Sequence, residues 1–188
     1  MRSTALAICL CLALVAGCAK VQVKGPQRLK VGAPAPAFNL LSLAADEEIN
    51  FAKTFQASVG TVVVIWSMAC PTCREALVDC DRIYRQYSGE GISFVGVNFD
   101  LENVQGVRAF LKSEGIGFVN AWDPRTRAAR AYRAADYTFS VFIVNRDRAL
   151  TLVQYDHPPD LGAMLSKALD QVIANEVKAA TPGGSKGK

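Results

Sequence analysis

The sequence predicts an α/β domain: a central mixed β-sheet with helices on both faces and an N-terminal β-hairpin. Three observations point there. The run Thr61-Val62-Val63-Val64-Ile65-Trp66 is apolar and β-branched without alternation, the pattern of a strand buried on both faces. Helical and strand-like stretches then alternate, as they do where helices cover a sheet with parallel strands. Near the C-terminus, strand-like runs at 139–144 and 150–155 are joined by the turn Asn145-Arg146-Asp147, which predicts an antiparallel hairpin.

The elements follow in order. Gly32-Ala33-Pro34-Ala35-Pro36-Ala37-Phe38 is an extended entry, because each Pro pushes the residue before it toward β or polyproline conformations. Phe38-Asn39-Leu40 and Ile49-Asn50-Phe51 alternate apolar and polar and bracket Ala44-Ala45-Asp46-Glu47-Glu48, so a short hairpin is expected there. After the strand at 61–67, residues 71–88 form the central helix. Pro71 suits its first turn, where a missing N–H costs nothing. Cys73, Leu77, Cys80, Tyr84 and Tyr87 recur at helical spacing and make one core-facing stripe, and Gly89 and Gly91 stop the helix. The next strand is Ile92 to Phe99. Val104, Val107, Phe110 and Leu111 mark a helix ended by Gly115, and Asp123-Pro124 opens a short one reaching Tyr132. Asp160 starts the last helix, with Leu161, Met164, Leu165, Ala168, Leu169, Val172 and Ile173 on one side.

The ends differ from the domain. Met1-Arg2 followed by an apolar run from Ala5 to Ala16 has the form of a signal peptide, and the run is too short to span a bilayer as a helix. Val15-Ala16-Gly17-Cys18 resembles the bacterial lipoprotein signal box, in which the Cys is lipidated. The expected organisation is a lipoprotein signal peptide at 1–17, lipidated Cys18 opening a tether at 18–30, the domain at 31–176 and a disordered tail at 177–188. The formal charge of +4 hides an asymmetry. Residues 31–176 hold 13 Lys and Arg against 17 Asp and Glu, so the basic excess lies in the flanks. A basic leader behind a lipid suits an anionic membrane surface. No nucleic-acid footprint is present: Arg125, Arg127, Arg130 and Arg133 wrap around a short helix as a solvated face. An exported, lipid-anchored protein on the periplasmic side of a bacterial membrane is expected. Ala19 after the lipid Cys lacks an inner-membrane retention signal, which slightly favours the outer membrane.

Removing the signal and Cys18 leaves Cys70, Cys73 and Cys80. The pair Cys70-Pro71-Thr72-Cys73 lies where a strand turns into a helix. The first sulfur meets the partial positive charge of the helix N-terminus, which favours thiolate. The second lies one turn on, within reach of a disulfide. That placement suits redox exchange better than structural stapling. Cys80 lies about 10 Å along the helix from Cys73, beyond the Cα separation of about 7 Å that a disulfide tolerates, and is expected to be a buried free thiol.

With this motif on this layout, residues 31–176 resemble the thioredoxin-fold family, and within it the TlpA/ResA-type membrane-tethered thiol–disulfide oxidoreductases. The likeness rests on Val31 to Phe38, on Val63-Val64-Ile65-Trp66 leading to Cys70-Pro71-Thr72-Cys73-Arg74, on Phe94-Val95-Gly96-Val97-Asn98, and on Phe142 to Asp147. The chain departs from that family at three places. Ala69 stands where a Trp precedes the first Cys, Ala76 where a Glu follows the second, and Phe139 where a cis-proline precedes the penultimate strand. A cis bond before a residue other than proline costs about 3 kcal/mol, so Thr138–Phe139 is expected to be trans in a reshaped loop.

The resemblance implies that Cys70 and Cys73 are the catalytic pair, alternating between dithiol and redox-active disulfide without a cofactor. Cys70 would attack a substrate disulfide and Cys73 would resolve the mixed disulfide. The implied partners are thiols and disulfides of exported proteins, with a membrane or periplasmic protein to recharge the pair. A second, more distant resemblance is to exported thioredoxin-fold copper chaperones. It would make Cys70, Cys73 and His157 metal ligands, with Met68 as a further soft donor. Likeness to the peroxidases of this fold is weaker. They place Thr three residues before their reactive Cys, and aligned on Cys73 that position is Cys70. Trp66 is expected in the core and His157 in a surface loop.

Overall fold

A computed structural model describes residues 27–45 and 47–180. Among them, strands β1 (Asn39–Ser42), β2 (Glu48–Asn50), β3 (Gly60–Trp66), β4 (Ile92–Asn98), β5 (Val119–Trp122), β6 (Phe139–Asn145) and β7 (Leu150–Tyr155) form one mixed sheet. Its order is β2-β1-β5-β4-β3-β6-β7. The helices are α1 (Phe51–Ala57), α2 (Pro71–Tyr87), α3 (Val104–Ser113), α4 (Arg127–Ala131) and α5 (Leu161–Ala180). The mixed α/β arrangement expected from the sequence is present.

Strand β3 is the axis of the molecule. It runs parallel to β4 and antiparallel to β6, and all seven of its residues are buried. Its side chains alternate between two cores, as the pleat requires. Val62, Val64 and Trp66 pack with Cys73, Leu77 and Cys80 of α2 and Leu165 and Leu169 of α5. Val63 and Ile65 pack on the other face with Phe51 and Phe55 of α1 and Ala128 and Ala129 of α4. Burying a large apolar side chain contributes about 1.5–3 kcal/mol, so both faces hold β3 in register. The end of β3, where α2 begins, is thereby fixed.

Two elements differ from the expectation. The second hairpin strand stops at Asn50, because Asn50 caps α1, its Oδ1 accepting the Lys53 N–H at 2.9 Å. Phe51 and Phe55, one turn apart, then meet edge to face at 6.0 Å and pack in the core with Val63 and Ile65 of the sheet. Strand β5 is short and carries Asn120 inside it, so its sequence lacks the strand pattern. Its register comes from contacts. Asn120 lies opposite Gly96 of β4, where a Cβ would overlap the Asn120 carboxamide, and its Oδ1 accepts the Trp66 indole N–H at 3.1 Å.

The C-terminal hairpin is antiparallel as expected. Helix α5 continues to Ala180, so residues 177–180 form its last turn rather than tail. The start of the described chain is also more ordered than a linker. Gly32 N–H donates to Leu150 O at 2.8 Å and Ala35 N–H to Arg148 O at 2.7 Å, laying this arm along β7. The signal peptide, Cys18, most of the tether and residues 181–188 lie outside the described residues. Among the described residues, no helix is long and apolar enough to cross a membrane.

Candidate active site

Cys70 is the N-cap of α2. Its backbone is extended, and its Sγ accepts the Cys73 N–H at 3.3 Å. A thiolate at this position gains both a charge-assisted hydrogen bond and the favourable end of the helix dipole. Pro71 occupies the first helical position. Cys70 and Cys73 are disulfide-bonded with Cα atoms 5.2 Å apart. They differ in access: Cys70 is half-buried beside the Thr72 hydroxyl at 3.2 Å, whereas Cys73 is only 1% exposed in the α2 core. One sulfur can meet an external disulfide and the other waits behind it.

Asp100 organises the segment between β3 and Cys70. Its Oδ1 accepts the Ser67 hydroxyl at 2.5 Å. Its Oδ2 accepts the Met68 N–H at 2.7 Å and the Asn98 side-chain amide at 2.8 Å. Ser67 Oγ in turn accepts the Ala69 N–H at 3.2 Å, and Arg74 Nη1 donates to Met68 O at 3.1 Å. The carbonyl of Asp100 is itself held by Trp122 Nε1 at 2.9 Å. Sequence reasoning missed Asp100. The available signal was its place just past the C-terminal end of β4, where ligand-facing polar residues of parallel strands collect. On this side lies an open groove of about 680 Å³ lined mainly by Met68, Ala69, Phe99 and Leu101, with Arg74, Asp100 and Glu102 as its charged groups.

The opposite side is the segment 134–138 leading into β6. Ser67 N–H donates to Thr138 O at 3.1 Å, and Phe139 lies opposite Trp66 in the sheet. No cis peptide occurs among the described residues, so Thr138–Phe139 is trans as expected. The Phe139 ring is buried and meets the His157 ring edge-on at 5.8 Å. His157 is thus engaged with an aromatic ring. Among the described residues no three His, Cys, Asp or Glu side chains are grouped to hold a metal ion.

The remaining expectations fall as follows. Cys80 is a buried free thiol, and burial, with smaller contributions from Asp79 and Asp81, pushes its ionisation well above the ordinary thiol range. Trp66 is fully buried. Arg125, Arg127, Arg130 and Arg133 are exposed.

The Redoxin family model matches residues 30–172. The chain belongs to the Redoxin family. Its fold is thioredoxin-like, shared with a putative thiol:disulfide interchange protein DsbE from Chlorobium tepidum (TM-score 0.69, 21% identity, 77% of this chain and 99% of that one). A hypothetical protein from Sinorhizobium meliloti 1021 is similar at TM-score 0.70 and 26% identity, over 79% of this chain and 87% of its own. A secreted disulfide oxidoreductase from Mycobacterium tuberculosis, described as homologous to Escherichia coli DsbE, is similar at TM-score 0.62 and 17% identity, over 71% and 95%. No curated protein matches the sequence significantly. Redoxin membership and the Cys70–Cys73 pair support the expected enzyme class, a thiol–disulfide oxidoreductase.

Proposed function

We propose that this redoxin is an exported, lipid-anchored thiol–disulfide oxidoreductase of the TlpA/ResA type that reduces disulfides in exported proteins. The observation that carries the reading is the unequal pair: an accessible Cys70 sulfur at the helix N-cap, bonded to a buried Cys73. Starting from the dithiol, the Cys70 thiolate attacks one sulfur of a substrate disulfide. A Cys70–substrate disulfide forms and the other substrate sulfur leaves as thiolate. Cys73, as thiolate, then attacks Cys70 Sγ. The intramolecular disulfide closes, the second substrate sulfur leaves, and both substrate thiolates take up protons. The substrate gains two electrons and the protein loses two, which a membrane or periplasmic dithiol partner restores. Export and anchoring rest on the signal-like start and Cys18. The outer membrane is the slightly favoured location.

The test is insulin reduction by the full-length chain in the presence of a dithiol reductant. Cys70→Ser abolishes turnover; turnover that survives the substitution sinks the reading. Anchoring is tested separately: Cys18→Ala releases the protein from the membrane fraction and ends incorporation of labelled fatty acid.

A further inference from the structure

The segment 134–138 forms one side of the dithiol loop, yet Ala134-Ala135-Asp136-Tyr137-Thr138 contains no proline to restrict its backbone. Its own ordering bonds are few: Ala134 N–H to Ala129 O at 2.7 Å, Tyr137 N–H to Ala134 O at 3.0 Å, and Thr138 O receiving Ser67 N–H. The arm at 27–29 reaches it from the far end of the sequence. Arg28 Nε donates to the Tyr137 hydroxyl at 2.7 Å. The Arg28 guanidinium also lies 5.1 Å from the Tyr137 ring centroid and 5.2 Å from that of Tyr155. Those two rings meet at 4.8 Å with their planes tilted by 40°. Tyr155 is anchored independently. Its hydroxyl accepts the Leu29 N–H at 3.0 Å and donates to Tyr132 O at 2.8 Å, and its ring meets Phe142 of β6 at 5.5 Å.

The geometry points to Arg28 as a positioning residue for the dithiol site. Resting on the oxidoreductase reading, it acts through Tyr137: the arm straps 134–138 against β7, and the strapped segment holds the Ser67–Cys70 loop through Thr138 on the side opposite the open groove. A guanidinium spanning two aromatic rings gains cation–π attraction from both, and it reaches both only while the rings stay in contact. The strap belongs to the stretch that leads from the tether into the domain. Disturbing the tether end therefore alters how a protein substrate is received at Cys70, without touching either sulfur.

The experiment compares the full-length wild-type chain with Arg28→Ala and Arg28→Lys. Amide hydrogen exchange is followed across the chain. KM and kcat are measured for insulin, alongside the rate with hydroxyethyl disulfide, which is too small to rest on segment 134–138. In Arg28→Ala, exchange rises at 134–139 and not in β3 or α2. KM for insulin rises roughly fivefold while the small-disulfide rate is unchanged, and Arg28→Lys, which keeps the cation over the rings, recovers most of the loss. Unchanged exchange at 134–139 overturns the strap. So does a rise spread evenly over the sheet, which marks general destabilisation. Raised local exchange with unaltered KM overturns the positioning role. A wild-type chain inactive on both disulfides sinks the oxidoreductase reading itself, a failure visible before any variant is compared.

Discussion

Helix α2 holds two thiol environments, one at its N-cap and one on its core-facing stripe. At its first turn Cys70 caps the helix, is half-buried, and receives a backbone N–H on sulfur. Farther along, Cys80 is fully buried between β3, β4 and α5 with no disulfide partner, its ionisation pushed up by desolvation. The residue type and the helix are the same. What separates a reactive sulfur from an inert one is its distance from the helix terminus and its access to water.

The largest effect that tests this contrast is at the pair itself. Cys73→Ser leaves Cys70 able to attack but nothing to resolve the product. Turnover then falls by at least about a thousandfold, and a mixed disulfide with insulin accumulates on non-reducing gels. Cys80→Ala, on the same stripe, keeps turnover within about twofold and costs about 1–2 kcal/mol in urea unfolding, as a small buried truncation does. A comparable loss from both changes would erase the contrast.

Asp100 comes next. Asp100→Ala leaves the Ser67 hydroxyl and Met68 N–H without their acceptor, at a cost of about 2–3 kcal/mol by urea denaturation. Turnover drops about tenfold, because the segment presenting Cys70 loosens. Asp100→Asn, which keeps one acceptor oxygen, loses less of both.

The smallest effect is in alkaline stability. The folded Cys80 thiol ionises above its unfolded value of 9.0. Its contribution to stability is therefore fully present below that pH and is lost as pH rises from there toward the folded value, at about 1.4 kcal/mol per unit. Comparing wild type with Cys80→Ala in denaturant melts from pH 8 to 10.5 isolates the slope. The tyrosines with raised ionisation, Tyr87, Tyr132 and Tyr155, contribute equally to both proteins and cancel.

The parts of the site that the sequence made legible are local in the chain. The β-branched run, Pro71 at the first helical position and the stripe through Cys73, Leu77 and Cys80 all lie in one continuous stretch, so periodicity alone places the dithiol at a strand-to-helix junction. The same spacing shows that Cys80 cannot reach Cys73. What escaped is held by contacts distant in sequence. Asp100 meets Met68 across 32 residues and Arg28 meets Tyr137 across 109. Strand β5 has too little apolar pattern to be seen without its β4 neighbour. Phe51 reads as a strand residue until the Asn50 side chain is seen capping α1. For His157 likewise, the sequence gives a donor but not its neighbours; in the fold its ring lies against Phe139.

The most direct measurement is competitive alkylation of the fully reduced, folded chain with iodoacetamide at pH 7, read by peptide mapping over time. Cys70 takes the first adduct, Cys73 follows slowly, and Cys80 stays unmodified until denaturant is added. Labelling of Cys80 at the rate of Cys70, or an unreactive Cys70 in folded protein, would contradict the claim that the helix N-cap makes one sulfur of this redoxin reactive.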